Sequence, residues 1–586
     1  MTGTHDVRRS ILFTTSCALA FCIAVALPAP AATEGDDSRY DTRQDVLIRT
    51  PDGATLSAVV MLPKGNSTRL PTLLTLTIYS NVADALAWCR PAVDRGYACV
   101  NADTRGKRLS PDPIVPYEHD AEDAHAILDW IVQQPWSNGS VGMRGGSYSG
   151  FTAWAATKRK HPALKTIAVS AAAIPGFGLP MYNNVFLNAN YAWAFYTTNN
   201  KLLDDQANDD RDRWSRMARN WFKSGRPYRE IDQVDGTPNP WLQRWLQHPT
   251  YDGYWQRMVP YGHDYAGIDI PVLTITGYYD DGQISALQFL KEHYRHRRDA
   301  EHYAVIGPYD HLATHWEKKP PVLRGYEIDP VAQFSTPDLV FDWMDHVLRG
   351  GPMPALLKDR INFEVMGANE WRHAPSLDAM SALRRTLYFS SVRTGDHLQL
   401  ASVKPASSGS SEHVVDFTDR NVFNNFNSYP YPIQGVKFRF ITELQFLSEP
   451  FAQPTVLSGA LRGVVNVTIN KKDFDFGVTA FEVMPDGTLF NLGYSLQRAS
   501  YARDATRRRL LQPGKTTAIA FATTVVSRRL AAGSRLLVLF DANKNPGAQV
   551  NYGTGKEVSD ESIADAGEPL RIRLRNDSFI ELPLSE

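Results

Sequence analysis

The chain has 586 residues, of which 43% are hydrophobic and 21% are charged, with a formal net charge of −1 at pH 7. This length exceeds one domain of ordinary size, so we expect two or three domains in a globular protein of ordinary composition. The near-zero net charge gives no electrostatic basis for binding nucleic acid or an anionic membrane surface, so we expect neither as a partner.

The first 32 residues have the pattern of a secretory signal peptide. Arg8 and Arg9 precede an apolar run over residues 11–27, and the segment 28–32 (PAPAA) holds an A-x-A cleavage pattern. The run is short for a membrane span, so we expect a secreted or periplasmic protein with no membrane contact after cleavage. The paired arginines leave the choice between general and twin-arginine export open.

Two cysteines, Cys89 and Cys99, remain in the chain after signal removal. An exported pair could form a disulfide, but Cys99 lies in an apolar run and could equally be an inert buried thiol. The sequence leaves both readings open, and it shows no zinc or redox spacing.

Residues 40–175 alternate short apolar runs with helical stretches, which predicts the first part of an α/β domain with a largely parallel sheet. The pattern breaks over 176–264, a stretch rich in Trp, Tyr and Asn that predicts a helical cap. It returns over 265–352 as the second part of the sheet domain. From 360 to 586, short alternating runs separated by turn residues predict a β-sandwich of jelly-roll type.

A serine lies at a predicted strand-to-helix turn in the segment 141–150 (VGMRGGSYSG). Strand, sharp turn and helix with Ser147 at the apex is the layout of a nucleophile elbow, in which side chains at Gly145 or Gly150 would collide. The usual pattern is G-x-S-x-G, whereas here Ser149 occupies the fifth position and the glycine follows it. A glycine-rich turn with an incidental serine is the alternative.

A nucleophilic serine needs a base and an orienting acid, which in α/β-hydrolases follow the serine along the chain. The predicted strand 271–278 runs into Asp280, and the strand 302–306 runs into His311. These two are our predicted acid and base. Asp281, beside the first, and His315, one helical turn beyond the second, are their rivals.

The oxyanion of acyl transfer needs hydrogen-bond donors placed where the charge develops. We expect the backbone amide of Tyr148 to be one, and the hydroxyl of Tyr79, at the end of an early strand, to be the other; an aromatic that closes the sheet edge is the alternative for Tyr79. His119 and His125 lie among acidic residues, but a charged helix start explains them, and we expect no metal site and no cofactor.

Four ordered motifs resemble those of the cocaine esterase / X-Pro dipeptidyl-peptidase (S15) family. They begin at Asp103 (DTRG), Gly145 (GGSYSG), Gly277 (GYYD) and Gly307 (GPYDH). The elbow motif of that family is G-x-S-Y-x-G, which accounts for the displaced glycine. The resemblance implies an α/β-hydrolase with a helical cap and a C-terminal jelly roll, and it implies that Tyr79 donates its hydroxyl to the oxyanion.

The resemblance implies a serine hydrolase of small-molecule esters or amides that forms an acyl-enzyme on Ser147. X-Pro peptidase and α-amino acid ester hydrolase activities are alternatives within the family. The amino-ester branch holds a substrate ammonium with acidic residues soon after the triad acid, where this chain has Gly282 and Gln283. We therefore do not expect an obligatory free α-amine.

Two further questions stay open at this point. The cap aromatics could shape an acyl pocket or form the cap's own core; they are Tyr182, Tyr191, Trp193 and Tyr196. A different class, an exported ligand-binding protein with an inactive hydrolase domain, is permitted by the jelly roll. The sequence also leaves a homo-oligomer open.

Overall fold

The computed structural model describes residues 37–406, 408–424, 432–436, 438, 440 and 442–585. The predicted signal peptide at 1–32 lies outside these residues. The chain divides into a unit Met1–Arg39, in which a 3-10 turn spans Asp37–Arg39, and a unit Tyr40–Glu586 that holds every element given below.

The first part of the sheet domain alternates strands with helices, as the sequence predicts. Its strands are β1 (Tyr40–Arg49), β2 (Thr55–Pro63), β3 (Leu70–Thr77), β4 (Ala98–Asp103), β5 (Ser137–Gly146) and β6 (Leu164–Ser170). Its helices are α1 (Val82–Asp94), α2 (Asp120–Val132) and α3 (Tyr148–Ala156). β4 is buried along its whole length, as expected of a strand inside a covered sheet, and this includes its polar residues Asn101 and Asp103.

The stretch that follows is mainly helical and contains one very short hairpin. The hairpin is β7 (Met181–Tyr182) with β8 (Val185–Phe186). The helices are α4 (Ala189–Thr198), α5 (Asp205–Asp209), α6 (Arg211–Ser224), α7 (Ile231–Asp235), α8 (Pro240–Trp245) and α9 (Gly253–Gln256). Much of the aromatic content predicted for this cap is buried in a hydrophobic cluster that it shares with the sheet domain, including Trp214, Trp221, Trp245 and Trp255.

The second part of the sheet domain returns to strands and helices. Its elements are β9 (Val272–Tyr279), α10 (Gln283–His296), β10 (His302–Asp310), the hairpin β11 (Val322–Leu323) and β12 (Tyr326–Glu327), α11 (Thr336–Arg349), β13 (Ile361–Val365) and β14 (Glu370–Ala374). The Ser335 side chain caps α11 by accepting from Asp338 N, and Gly350 ends the helix in the left-handed conformation.

Ten strands form one sheet in the order β1-β2-β4-β3-β5-β6-β9-β10-β13-β14. The pairs from β4 through β13 are parallel, and antiparallel strands lie at both ends. Parallel strands place their carboxyl ends along one edge, so the residues after β3, β5, β9 and β10 lie on the same side of the sheet. β13 and β14 extend this sheet to Ala374, whereas the sequence placed the start of the β-domain at 360.

The rest of the chain is an all-β domain, which confirms the fold class predicted for it. Its strands are β15 (Leu383–Thr394), β16 (His397–Ala401), β17 (Ser410–Val415), β18 (Gln434–Gly435), β19 (Leu444–Ser448), β20 (Thr455–Ile469), β21 (Asp475–Val483), β22 (Leu489–Arg498), β23 (Thr517–Leu530), β24 (Arg535–Ala542), β25 (Leu570–Arg575) and β26 (Phe579–Ser585). Among the paired strands described here, β16 and β19 run parallel and the other pairs are antiparallel.

The all-β domain binds the loop that follows β9 in the sheet domain. The buried side chain of Gln283 accepts from Val525 N at 2.7 Å and donates to Val525 O at 2.9 Å, and it also donates to Gly277 O at 2.9 Å. Tyr279 Oη donates to Asn491 O at 2.9 Å. The loop that carries the predicted acid is therefore held between the two domains.

Cys89 of α1 and Cys99 of β4 are joined by a disulfide, with their Cα atoms 5.4 Å apart. Both residues are buried, so the bond ties the helix to the sheet from inside the core. This settles, for the structure, the pairing that the sequence left open. Within the described ranges, no helix combines the length and the apolar character that crossing a bilayer requires.

Candidate active site

Ser147 lies between β5 and α3 with φ 56° and ψ −120°, a backbone conformation that a non-glycine residue seldom adopts. The surrounding glycines make the turn feasible. A Cβ at Gly145 would lie 2.4 Å from Ser149 Cβ, and a Cβ at Gly150 would lie 2.9 Å from Ala172 Cβ. The predicted collisions are thus confirmed, and the sharp turn depends on both glycines.

The turn is fixed to the neighbouring strand by its backbone. Ser147 N donates to Ser170 O of β6 at 2.9 Å, and Ser147 O accepts from Phe151 N at 3.0 Å within the first turn of α3. The Ser147 hydroxyl makes no capping bond to the helix. The hydroxyl therefore lies at the positive end of a helix without being used to hold that helix together.

Tyr79, just after β3, contacts the serine directly, with its Oη 3.3 Å from Ser147 Oγ. Trp193 of the cap helix α4 donates its Nε1–H to the same Tyr79 oxygen at 3.1 Å. Because that oxygen already accepts a hydrogen bond, the phenol can point its own proton at the serine or at an oxyanion formed there. The structure thus favours the donor interpretation of Tyr79 over that of an aromatic that closes the sheet edge.

Tyr148 is anchored in the core by its side chain. Its hydroxyl donates to Asp120 Oδ2 at 2.9 Å and accepts from Tyr117 N at 3.0 Å. Its backbone N–H is the first of α3, and the first N–H groups of a helix have no partner within it. An anchored residue with such an N–H suits the second oxyanion donor expected beside Ser147.

The predicted acid and base lie in contact after β9 and β10. Asp280 Oδ1 is 2.9 Å from His311 Nδ1, and the carboxylate also accepts from Thr276 Oγ1 at 2.7 Å and from Gly282 N at 2.8 Å. The Asp280 side chain is fully buried. When Nδ1 donates to this carboxylate, the other ring nitrogen, Nε2, is left to act as a base.

Asp281, the rival acid, reaches the same imidazole nitrogen. Its Oδ1 lies 2.8 Å from His311 Nδ1, but it makes no hydrogen bond there, and its side chain is 31% exposed. Asp280 is the better fit for the orienting acid because three donors fix its carboxylate. The sequence could not separate two adjacent aspartates, whereas their hydrogen bonds do.

His315, the rival base, also lies close to the elbow. Its Nδ1 is 3.1 Å from where a Cβ would lie at Gly146, and its ring centroid is 6.5 Å from that of His311. Burial, then the charges of His311 and Lys319, lower the pKa of His315 to about 3. Its hydrogen-bond partner is the Thr314 hydroxyl and not a carboxylate, so the structure favours His311 as the base.

The structure contains no hydrogen bond between Ser147 and His311, both of which are described residues; the partner of Ser147 Oγ is Tyr79. The elbow that carries Ser147 and the loop that carries Asp280 both contact the backbone at the end of β6. Ser147 N binds Ser170 O, and Gly282 packs against the next carbonyl, so that a Cβ there would lie 3.0 Å from Ala171 O. Catalytic hydrogen bonds are often long without substrate and shorten in the complex.

Residues of the acidic stretch around His119 and His125 bind other groups of the protein. Asp123, near His119 and His125, is bound by Arg105 through bonds of 2.9 and 2.5 Å, and His125 Nε2 contacts Ala156 O. Asp280, Asp281 and His311 also bring one potential ligand atom each within 4.8 Å. A hydrogen bond joins His311 Nδ1 to Asp280, and Asp281 Oδ1 lies beside them without one.

A strained serine on a strand-to-helix elbow, a phenol donor beside it and a histidine–aspartate pair at the same edge of a parallel sheet define a serine hydrolase of the α/β class. Residues 52–313 match the family described as X-Pro dipeptidyl-peptidase (S15 family), and residues 358–568 match the X-Pro dipeptidyl-peptidase C-terminal non-catalytic domain. The chain belongs to this S15 family, which confirms the resemblance seen in its motifs.

Individual relatives agree with that placement. The chain is 24% identical to the cocaine esterase of Rhodococcus sp. (strain MB1 Bresler) over 90% of its own length and 95% of the relative. Two solved structures share its fold. An aminopeptidase from a marine sediment Thaumarchaeota archaeon has TM-score 0.75 and 18% identity, covering 94% of this chain and 97% of that one. An α-amino acid ester hydrolase has TM-score 0.74 and 21% identity, covering 93% and 97%.

The four cap aromatics separate into two groups. Tyr182 and Tyr191 are buried in the core, and Tyr191 Oη donates to Asp235 at 2.9 Å. Trp193 and Tyr196 are half-buried, and Trp193 touches Tyr79. The role of Trp193 as a partner of Tyr79 was missed from the sequence, because no local pattern connects residues 114 positions apart.

We expect Trp193→Phe to lower kcat about three- to tenfold by removing one hydrogen bond to Tyr79. The ring that stacks on Tyr117 and Tyr148 is kept. Tyr79→Phe should cost about a hundredfold, and the double variant no more than Tyr79→Phe alone, because Trp193 acts through Tyr79. Steady-state kinetics on an activated ester gives kcat for the two single variants and the double variant, with Trp241→Phe as a control substitution elsewhere in the cap. Fully additive losses would contradict this coupling.

Proposed function

We propose that this chain is an exported serine hydrolase that cleaves carboxylic esters or amides through an acyl-enzyme on Ser147. His311 is the base, and Asp280 is the acid that orients it. The observation that carries the proposal is the hydrogen bond between buried Asp280 and His311 Nδ1 at the sheet edge where the strained Ser147 lies. An inactive binding protein would have no need of such a pair.

In this mechanism His311 Nε2 takes the Ser147 proton as Oγ attacks the substrate carbonyl carbon. The carbonyl oxygen becomes an oxyanion, which Tyr79 Oη and the Tyr148 N–H stabilise by donating hydrogen bonds. His311 then gives its proton to the leaving alcohol or amine, and the acyl group stays on Ser147. Water, deprotonated by the same nitrogen, releases the acid, while Asp280 stabilises the transient imidazolium.

We infer that the substrate needs no free α-amine. The position after Asp281 is Gly282, and the next, Gln283, is buried and bound on both edges of its amide to Val525. Neither can offer a carboxylate to an ammonium group. Asp281 remains, but its Oδ1 already contacts His311. A neutral acyl group therefore fits this site better than an α-amino acyl group.

Export is proposed on two observations. The first is the signal pattern of residues 1–32. The second is the buried disulfide between Cys89 and Cys99, a bond that persists in oxidising compartments and is rare in reducing ones. Both suit a secreted or periplasmic enzyme.

Ser147→Ala should abolish hydrolysis of a p-nitrophenyl acyl ester, and His311→Ala should cost a similar factor, at least about 10⁴, because triad members act as a unit. A fluorophosphonate probe should label the wild type at Ser147 and leave Ser147→Ala unlabelled, as mass spectrometry of the tryptic peptides would report. The matched control is His315→Gln, which should stay within about tenfold of wild type because His315 has no carboxylate partner. If His315→Gln is inactive while His311→Ala works, the base has been misassigned.

Esters that differ only by an α-amino group should be hydrolysed with kcat/KM values within about tenfold of each other, because no built ammonium site discriminates them. Methyl phenylacetate and phenylglycine methyl ester form such a pair. X-Pro p-nitroanilides belong in the same assay. A preference for the amine above about 10³ would refute the neutral-acyl inference.

Protein expressed from the full sequence in a bacterial host should be recovered from the periplasm or medium, with an N-terminus close to Ala31 or Ala32. Intact mass measurement gives the cleavage site. The denatured, unreduced protein should have no free thiol toward Ellman's reagent, because its two remaining cysteines are joined. An uncleaved cytosolic protein with four free thiols would refute export, because such a chain keeps Cys17 and Cys22 and has no disulfide.

A further inference from the structure

Two carboxylates contact the same nitrogen of His311, where one would be enough to orient it. Asp280 Oδ1 lies 2.9 Å and Asp281 Oδ1 2.8 Å from Nδ1. Asp280 accepts the hydrogen bond from Nδ1, whereas Asp281 Oδ1 makes none; this oxygen is itself buried, although the Asp281 side chain as a whole is 31% exposed. Asp281 thus adds charge at the imidazole without taking over the work of Asp280.

We propose that Asp281 is a positioning residue that holds a second proton on His311 in the resting enzyme and so moves turnover to higher pH. This inference rests on the proposed function, in which His311 is the base. An imidazole protonated on both nitrogens cannot accept the Ser147 proton. The enzyme must first lose that proton to solvent, after which Nε2 is free to act as the base.

The electrostatics of His311 support this assignment. Burial alone would disfavour its cation, but the charge of Asp281 and the hydrogen bond that His311 donates to Asp280 outweigh burial and raise the pKa of His311 well above its ordinary value. Burial would also disfavour ionised Asp281, yet the charge of His311 keeps the pKa of Asp281 below its ordinary value. The pair is thus charged together in the folded protein.

Other charged and titratable groups face this pair from three elements, and none replaces Asp281. His315, on the same loop as His311, has its pKa lowered to about 3, so it adds no charge at neutral pH. Arg324 of the β11–β12 turn helps to lower the pKa of Asp281 and therefore keeps it ionised. Tyr196 of the cap lies within the field of Asp281 and is a neutral phenol, because burial raises its pKa.

The test compares pH profiles of kcat/KM for wild type, Asp281→Asn, Asp281→Glu and Asp280→Asn. The acid limb of the profile is the range in which kcat/KM falls as the pH is lowered. Asp281→Asn should move the midpoint of this limb down by at least about one pH unit, since an opposite charge this close shifts a pKa by roughly 1–3 units. It should thereby raise kcat/KM about tenfold or more on that limb, while the alkaline plateau stays within about threefold. Asp281→Glu should restore the wild-type midpoint, and exposed Glu317→Gln, a charge-matched control, should not move it.

Asp280→Asn should instead lower the plateau, because it removes the group that orients the imidazole. A plateau lost in Asp281→Asn as well would overturn the proposal by making Asp281 the orienting acid. A midpoint unmoved in Asp281→Asn would overturn it too.

A second readout does not need turnover. In Ser147→Ala labelled with ¹³C at histidine Cε1, the His311 signal should titrate at lower pH once Asp281→Asn is added. If the wild type shows no Ser147-dependent hydrolysis at any pH, the proposed function fails, and this titration still decides whether Asp281 holds the proton. A His311 signal that titrates identically with and without Asp281 would refute the inference.

Discussion

The close approach of α3 to β5 and β6 is the constraint on which the site depends. It forces Ser147 into a backbone conformation that costs about 1–3 kcal/mol, which the packing around Gly145 and Gly150 must overcome. In return, the hydroxyl stands clear of its own helix at the positive end of that helix. The packing that stabilises this turn is therefore also what leaves the Ser147 hydroxyl free of its own helix.

The remaining groups of the site come from four separate parts of the chain. The strand end after β3 supplies Tyr79, the cap supplies Trp193, and the loops after β9 and β10 supply Asp280 and His311. A parallel sheet brings strand ends together without requiring the residues to be close in sequence. Only the contribution of the cap lies outside that rule, since it depends on how α4 is folded over the sheet.

The sequence was informative where the signal is local. The elbow and the residues after two buried strands are short patterns with a direct physical cause, and each lies where it was expected. β13 and β14 lie beyond the boundary predicted at 360 and yet continue the sheet through the pairing of β13 with β10, while the match to the C-terminal domain begins at residue 358. The choice between Asp280 and Asp281 and the Trp193–Tyr79 contact depend on side-chain positions that no spacing encodes.

The junction between Gln283 and Val525 has a consequence for how the two domains can be used. The amide of Gln283 extends the edge of β23 much as another strand residue would, and it stands three positions from Asp280. Cutting the chain after the sheet would remove the Val525 partners of the Gln283 amide. A buried polar group left without a hydrogen bond costs roughly 1–3 kcal/mol. A minimal enzyme made of the catalytic half alone would thus lose the scaffold of its own acid loop. The all-β domain, which supplies none of the site residues named above, therefore helps to hold the loop that carries Asp280.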